Sequence, residues 1–172
     1  RLPEDFWKCV PGARWSCLPN NMPSYYIFLE PSPLDNYGKA VVVVHCFDDR
    51  FVPTIQRFLA SLGERHYDIV SVAGGAKALF DPENEEEQKF LLQQIRLSAK
   101  LHGAKEAWLL THADCGACGG RARFNHNPDE EIAYHGRGHR IARELIKKIF
   151  PEIETVRTFF VDEKGVIETT EF

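Results

Sequence analysis

The chain has 172 residues, of which 44% are hydrophobic and 27% are charged, and its formal net charge is -4. This length and composition suit one domain of ordinary size with a buried core. No local excess of Lys and Arg is present, so we expect no nucleic-acid partner. No stretch approaches the ~18 consecutive apolar residues of a bilayer span, and residues 1–21 lack the apolar segment of a signal peptide. We therefore expect a soluble, cytoplasmic protein with no membrane partner.

Residues 1–38 are predicted to form a proline-rich N-terminal arm, and residues 39–172 to form one α/β domain. Six of the ten prolines lie in the arm, where each fixes φ and removes a backbone donor, so one short strand at 25–28 is the most structure expected there. The chain has five cysteines, an odd number that argues against a disulfide framework and favours metal ligation or thiol chemistry. Cys9 and Cys17 in the arm do not match a zinc-finger spacing; they could pair if oxidised, but we expect free thiols.

From residue 39 onward, short apolar runs alternate with segments of helical periodicity. The predicted strands lie at 40–47, 67–73, 106–111 and 156–161, with a candidate fifth at 166–169. The predicted helices lie at 53–62, 85–102 and 128–150, and Asn127 followed by Pro128 is typical of a helix start. Strands that alternate with helices predict an α/β fold with a central, mostly parallel sheet of about four to five strands and helices on both faces.

Two clusters of polar residues follow predicted strands. Residues 45–50 (HCFDDR) follow the first strand, and residues 112–118 (HADCGAC) follow the third. Ligands of open parallel sheets bind outside the carboxyl ends of the strands, so the two clusters converge if these strands are neighbours. Cys46, His112 and Cys115 would then form a Cys2His zinc site with a fourth position open, which is the mark of a catalytic zinc.

The combination of CxDxR at one strand end and HxxC at another resembles the β-class carbonic anhydrases. The matching residues are Cys46, Asp48 and Arg50, then His112, Cys115 and Gly116. The resemblance covers roughly residues 40–120 and, more weakly, the last helix and strand. The chain departs from the family pattern at Ser71 and Val72, where an Arg-Asn pair is usual, and at Thr111, where Gly is usual.

The resemblance implies reversible, Zn2+-dependent hydration of carbon dioxide to bicarbonate by a homodimer or higher homo-oligomer. In that mechanism Asp48 accepts a hydrogen bond from the reacting water, and Arg50 keeps Asp48 ionised and in place by a two-pronged contact. Without Arg50, Asp48 could move onto the metal. A diverged, non-catalytic zinc-binding relative and a zinc hydrolase acting on carbonyl sulfide or carbon disulfide are the alternatives.

Other candidate residues leave alternatives open. Cys115 and Cys118 form a CxxC, which suits a thioredoxin-like redox pair as well as a metal ligand with a bystander, and Cys118 could instead be a fourth ligand. One histidine among His126, His135 and His139 could relay protons, because imidazole titrates near neutrality. We nevertheless expect these three side chains to be exposed to solvent.

Overall fold

The structure is a computed structural model that describes residues 34–63 and 65–170. Most of the predicted arm, with Cys9, Cys17 and the strand predicted at 25–28, lies outside the described residues. Within them the elements are β1 (Val41–Cys46), α1 (Val52–Ser61), β2 (Tyr67–Val72), α2 (Glu85–His102), β3 (Glu106–His112), α3 (Pro128–Ile149), β4 (Thr155–Val161) and β5 (Val166–Glu168). The predicted elements from residue 39 onward are all present, with ends that differ by at most one residue.

The five strands form one sheet in the order β2-β1-β3-β4-β5. The β1–β2, β1–β3 and β3–β4 pairs are parallel, and β5 joins β4 antiparallel. The predicted α/β class and mostly parallel sheet are thereby confirmed. The chain leaves β1 for β2 on one side and later places β3 on the other side, so β1 and β3 are neighbours at the point where strand order reverses.

Both faces of the sheet are covered by helices. All six residues of β1 are buried, and its Val run suits a strand enclosed on both faces. Val42 and Val44 pack with apolar residues of α2 and α3, such as Leu91 and Ile146. The intervening residues of β1 pack on the opposite face with Ile55 and others of α1. Alternation along the strand therefore divides the core into two layers.

The long helices begin and end at the residues that local chemistry favours. The side chain of Asn127 accepts hydrogen bonds from the backbone of Asp129 and Glu130, and Pro128 occupies the first turn of α3. Gly103 ends α2 in the left-handed conformation, with φ of 62°. Across the described ranges, no helix combines the length and apolar composition that crossing a bilayer requires.

A tight turn after β2 packs directly against the ends of β1 and β3. Gly75 has φ of 58°, and a Cβ added there would lie 2.5 Å from the carbonyl oxygen of Leu110 and 2.7 Å from the backbone nitrogen of Cys46. Glycine is required at this position both by the backbone conformation and by the space. The turn thus sets how closely three chain segments approach beside Cys46.

Candidate metal centre

Three side chains with metal-binding donor atoms converge where β1 and β3 end. Cys46 is the last residue of β1, His112 is the last residue of β3, and Cys115 lies in the loop beyond β3. The two sulfur atoms and an imidazole nitrogen all lie within 4.8 Å of one another, and all three residues are buried. Thiolate and imidazole are the donors that zinc favours in proteins.

The ring of His112 is oriented by its own backbone. Nδ1 lies 2.8 Å from the carbonyl oxygen of Ala113, and because a carbonyl can only accept, Nδ1 carries the hydrogen. Nε2 is then a bare acceptor, and it has no hydrogen-bond partner among the described residues although it is buried. Buried polar atoms are rarely left unpaired, so this nitrogen fits a metal ion as its partner. Phe51 packs against the ring, with centroids 4.6 Å apart, and limits its rotation.

The two candidate cysteine ligands are protonated at neutral pH when no metal is bound. The neighbouring Cys115 thiol and burial raise the pKa of Cys46 to about 12. The adjacent Cys118 thiol and burial raise the pKa of Cys115 as well. A metal that binds these sulfur atoms as thiolates would therefore have to displace their protons, which would make its affinity depend on pH.

Asp48 and Arg50 lie in the loop that follows β1, beside the three donors. Arg50 donates from Nε to Asp48 Oδ1 at 3.0 Å and from Nη2 to Asp48 Oδ2 at 2.7 Å. The Arg50 guanidinium holds the pKa of Asp48 down at about 2, so the carboxylate is ionised at neutral pH. Asp48 Oδ2 lies 3.9 Å from His112 Nε2, which places the carboxylate at the edge of the donor cluster.

Two acidic residues near the site were missed in the sequence. Arg50 Nη1 donates to Asp114 Oδ2 at 2.9 Å, and the backbone nitrogen of Asp114 donates to Glu131 Oε1 at 2.6 Å. Asp114 occupies a variable position of HxxC, and its carboxylate inside a ligand motif is the one signal for it that the sequence contains. Glu131 gives no such signal, because acidic residues are common in the first turn of a helix, where the helix dipole stabilises negative charge.

The expected exposure of the α3 histidines is wrong for two of them. His135 is 0% exposed and His139 is 1% exposed, whereas His126, before the helix, is exposed. The reason is packing: the His135 ring lies 5.0 Å from that of Phe160 on β4, so this face of α3 is turned to the sheet. Polar residues usually occupy the solvent side of a helix, and these two histidines are exceptions to that pattern.

Cys118 lies beside the donor cluster but outside the group of three. It closes a short turn in which its backbone nitrogen donates to the carbonyl oxygen of Cys115 at 2.9 Å. Cys46, Cys115 and Cys118 are all free thiols. The CxxC follows the third strand in the chain, whereas a thioredoxin-like pair follows an early strand. The position of this CxxC therefore does not support the redox alternative.

The fold and this cluster define a class: an α/β protein with a possible Cys-His-Cys metal site at the carboxyl ends of parallel strands. Residues 37–171 match the sequence profile described as "Putative carbonic anhydrase", and since this is most of the chain, the chain belongs to that β-carbonic-anhydrase-like family. No curated protein sequence matches this chain.

Solved carbonic anhydrases share the fold. The Streptococcus mutans carbonic anhydrase is similar with a TM-score of 0.53 and 20% identity, over 82% of this chain and 88% of that one. The Trichomonas vaginalis β-carbonic anhydrase isoform I is similar with a TM-score of 0.55 and 14% identity, over 81% of this chain and 87% of that one. At these identities the likeness establishes the fold.

Proposed function

We propose that the protein catalyses the reversible hydration of carbon dioxide to bicarbonate, with one zinc ion held by Cys46, His112 and Cys115. The observation that carries the proposal is the buried group of Cys46, His112 and Cys115, whose donor atoms lie within 4.8 Å of one another, together with the unpaired Nε2 of His112. Membership of the carbonic anhydrase family supports the same reaction. On the resemblance, we also infer a homo-oligomer, a dimer or larger, which light scattering of the full chain would test.

Zinc, when bound, supplies the Lewis acidity that lowers the pKa of a water ligand to about 7. The residues of the chain then have to hold that water and shield the site. Asp48 would accept a hydrogen bond from the reacting water, and its carboxylate is available for this across the neutral range because Arg50 keeps it ionised. Arg50 also occupies both carboxylate oxygens of Asp48, so that Asp48 is held back from direct ligation. Phe51 covers one face of the His112 ring.

The test is metal analysis and stopped-flow hydration of carbon dioxide on the same preparation, purified without chelator. We expect about one zinc per chain, hydration above a zinc-free control, and loss of zinc in Cys46→Ser. Cys118→Ser is the matched control, since it removes a neighbouring buried thiol outside the group of three, and it should keep its zinc.

Protein without zinc, or zinc retained in Cys46→Ser, would refute the metal assignment. Zinc without hydration would instead identify a non-catalytic relative. Hydrolysis of carbonyl sulfide or carbon disulfide in place of carbon dioxide hydration would identify a hydrolase of carbon dioxide-like molecules.

A further inference from the structure

The guanidinium of Arg50 is bound on two sides by two different loops. One side faces Asp48, which is two residues away in the same loop. The other side faces Asp114: Nη1 donates to Asp114 Oδ2 at 2.9 Å, and Nη2 donates to the carbonyl oxygen of Asp114 at 3.1 Å. Asp114 lies between two of the proposed ligands, His112 and Cys115. The contact therefore ties the loop after β1 to the loop that carries those ligands.

Asp114 is itself held in an uncommon conformation. Its φ is 54°, in the left-handed region that few residues other than glycine, Asn and Asp adopt. Its backbone nitrogen donates to Glu131 Oε1 at 2.6 Å, and its Oδ1 accepts from the backbone nitrogen of Arg121 at 3.0 Å. Glu131 is only 2% exposed. Each oxygen of the Asp114 carboxylate thus has its own partner, and the backbone is anchored from α3.

The contacts of Arg50 with Asp48 and with Asp114 restrict its movement in different ways. Asp48 and Arg50 share one short loop, and the Arg50 side chain is 55% exposed. If their mutual contact were the only one, the pair could move as a unit relative to the proposed metal ligands. The contacts with Asp114 remove that freedom, because they connect the pair to the segment between His112 and Cys115. Small displacements of a positioned group are costly in catalysis.

We propose that Asp114 is a second positioning residue for the reaction: it fixes Arg50, and through Arg50 it fixes the place of Asp48 relative to the proposed ligands. This inference rests on the proposed function. Asp114 does not contact substrate, and Glu131 supports it from α3 by holding its backbone.

Asp114→Asn is the most informative variant. Asn tolerates the left-handed conformation, but its amide has one oxygen, which cannot serve both Arg121 and Arg50 as the two carboxylate oxygens do. Asp114→Gly is the second variant, because it accepts the same φ and removes the side chain altogether. Glu154→Gln is the matched control, since it neutralises a carboxylate that pairs with Lys105 outside this cluster.

The first measurement needs neither zinc nor activity. The Nε–H resonance of Arg50 in zinc-free protein, identified by its absence from Arg50→Lys, reports how rigidly the guanidinium is held. We expect an ordered signal in the wild type and in Glu154→Gln, and a loss of order in both Asp114 variants. Unchanged order in the Asp114 variants would overturn the inference.

The second measurement is a double-mutant cycle on carbon dioxide hydration. Asp114→Asn should keep its zinc and lower the rate by about tenfold, the scale of one lost charge-assisted hydrogen bond. In an Arg50→Ala background the same change should have no further effect, because Asp114 acts through Arg50. An equal tenfold loss in that background would overturn the positioning role. Absence of hydration in the wild type would refute the proposed function, while the NMR measurement would still decide whether Asp114 orders Arg50.

Discussion

The hydroxyl of Thr111 lies 3.0 Å from Nε2 of His139, and both side chains are buried. His139 Nδ1 lies 2.7 Å from the hydroxyl of Thr169, which donates in turn to Thr158 at 3.0 Å. Because Thr169 donates onward, it accepts from Nδ1, and Nε2 of His139 accepts from Thr111. This chain of hydrogen bonds joins β3 to α3 and to β4, directly beside the strand end that carries His112.

Thr111→Val should destabilise the protein. Valine has nearly the same shape but cannot donate, so Nε2 of His139 is left buried and unpaired, at a cost of about 1–3 kcal/mol in the free energy of unfolding. Thr155→Val, at an exposed position of β4, is the matched control. Urea unfolding of the zinc-free proteins at pH 8 measures both, and equal midpoints for the two variants would contradict the role of the Thr111 hydroxyl.

The buried histidines should make stability depend on pH. Burial lowers the pKa of His139 to about 3, and burial, with the charge of His139 as a smaller cause, lowers the pKa of His135 to about 3. In the unfolded chain both titrate near 6.5. The unfolded state therefore binds more protons between pH 6.5 and 3, so stability is complete above pH 6.5 and falls with acidification.

The size of this effect is about 1.4 kcal/mol per pH unit for each histidine inside that window. Urea unfolding of zinc-free protein at several pH values from 6.5 to 5 avoids most of the carboxylate titrations. In His139→Gln the slope of the unfolding free energy against pH should decrease by about 1.4 kcal/mol per pH unit, because one proton fewer is taken up on unfolding. The same slope in the variant and in the wild type would show that His139 does not titrate differently on folding.

Gly75→Ala should be severely destabilising. The added methyl group would overlap backbone atoms of Leu110 and Cys46 that cannot move independently of the sheet. Together with the positive φ, this overpacking should cost roughly 3 kcal/mol or more, and it should weaken zinc retention because Cys46 is displaced. Gly63→Ala is the matched control: its φ of 85° is also positive, but nothing lies within 4 Å of the added atom.

Gly63→Ala should therefore cost only the backbone strain, about 1 kcal/mol. Thermal and urea unfolding of both variants, with zinc content measured alongside, separates strain from overlap. Equal losses for the two glycines would mean that the close approach beside Cys46 is not tight.

Arg50→Ala should keep zinc and lose hydration by on the order of a hundredfold, because Asp48 is released from the position in which it is proposed to accept a hydrogen bond from the reacting water. Arg50→Lys should recover little, since an ammonium cannot reproduce the two-pronged contact. Arg157→Ala is the matched control, because it removes a similar two-pronged pair with Glu168 on β4 and β5. Stopped-flow assays from pH 6.5 to 9, a range chosen around a zinc-water pKa of about 7, measure the rates.

Asp48→Asn should also keep zinc and lose rate, because its amide can donate to the water that Asp48 is proposed to orient. Hydration that survives both the Arg50 and the Asp48 substitutions would show that this pair has been misassigned. The metal assignment is tested separately, by the zinc content of Cys46→Ser.

Much of the fold could be predicted because its signals are local. The Val run of β1, the apolar periodicity of α1 and the Asn127-Pro128 start of α3 each depend on neighbouring residues, and each element is present where predicted. The convergence of Cys46 with His112 could also be anticipated. The sequence predicts where each strand ends, and a parallel sheet places both carboxyl ends at one edge.

The sequence by itself determined the order of strands and helices, the donor types and the two strand ends that carry them. Tertiary structure decided which polar residues are buried and which carboxylate meets Arg50. Asp114 is 64 residues from Arg50, and His139 is 28 residues from Thr111, so neither contact leaves a local pattern. Such contacts arise where α3 packs on the sheet and where two loops meet, and a polar side chain looks the same in the sequence whether it faces water or a partner.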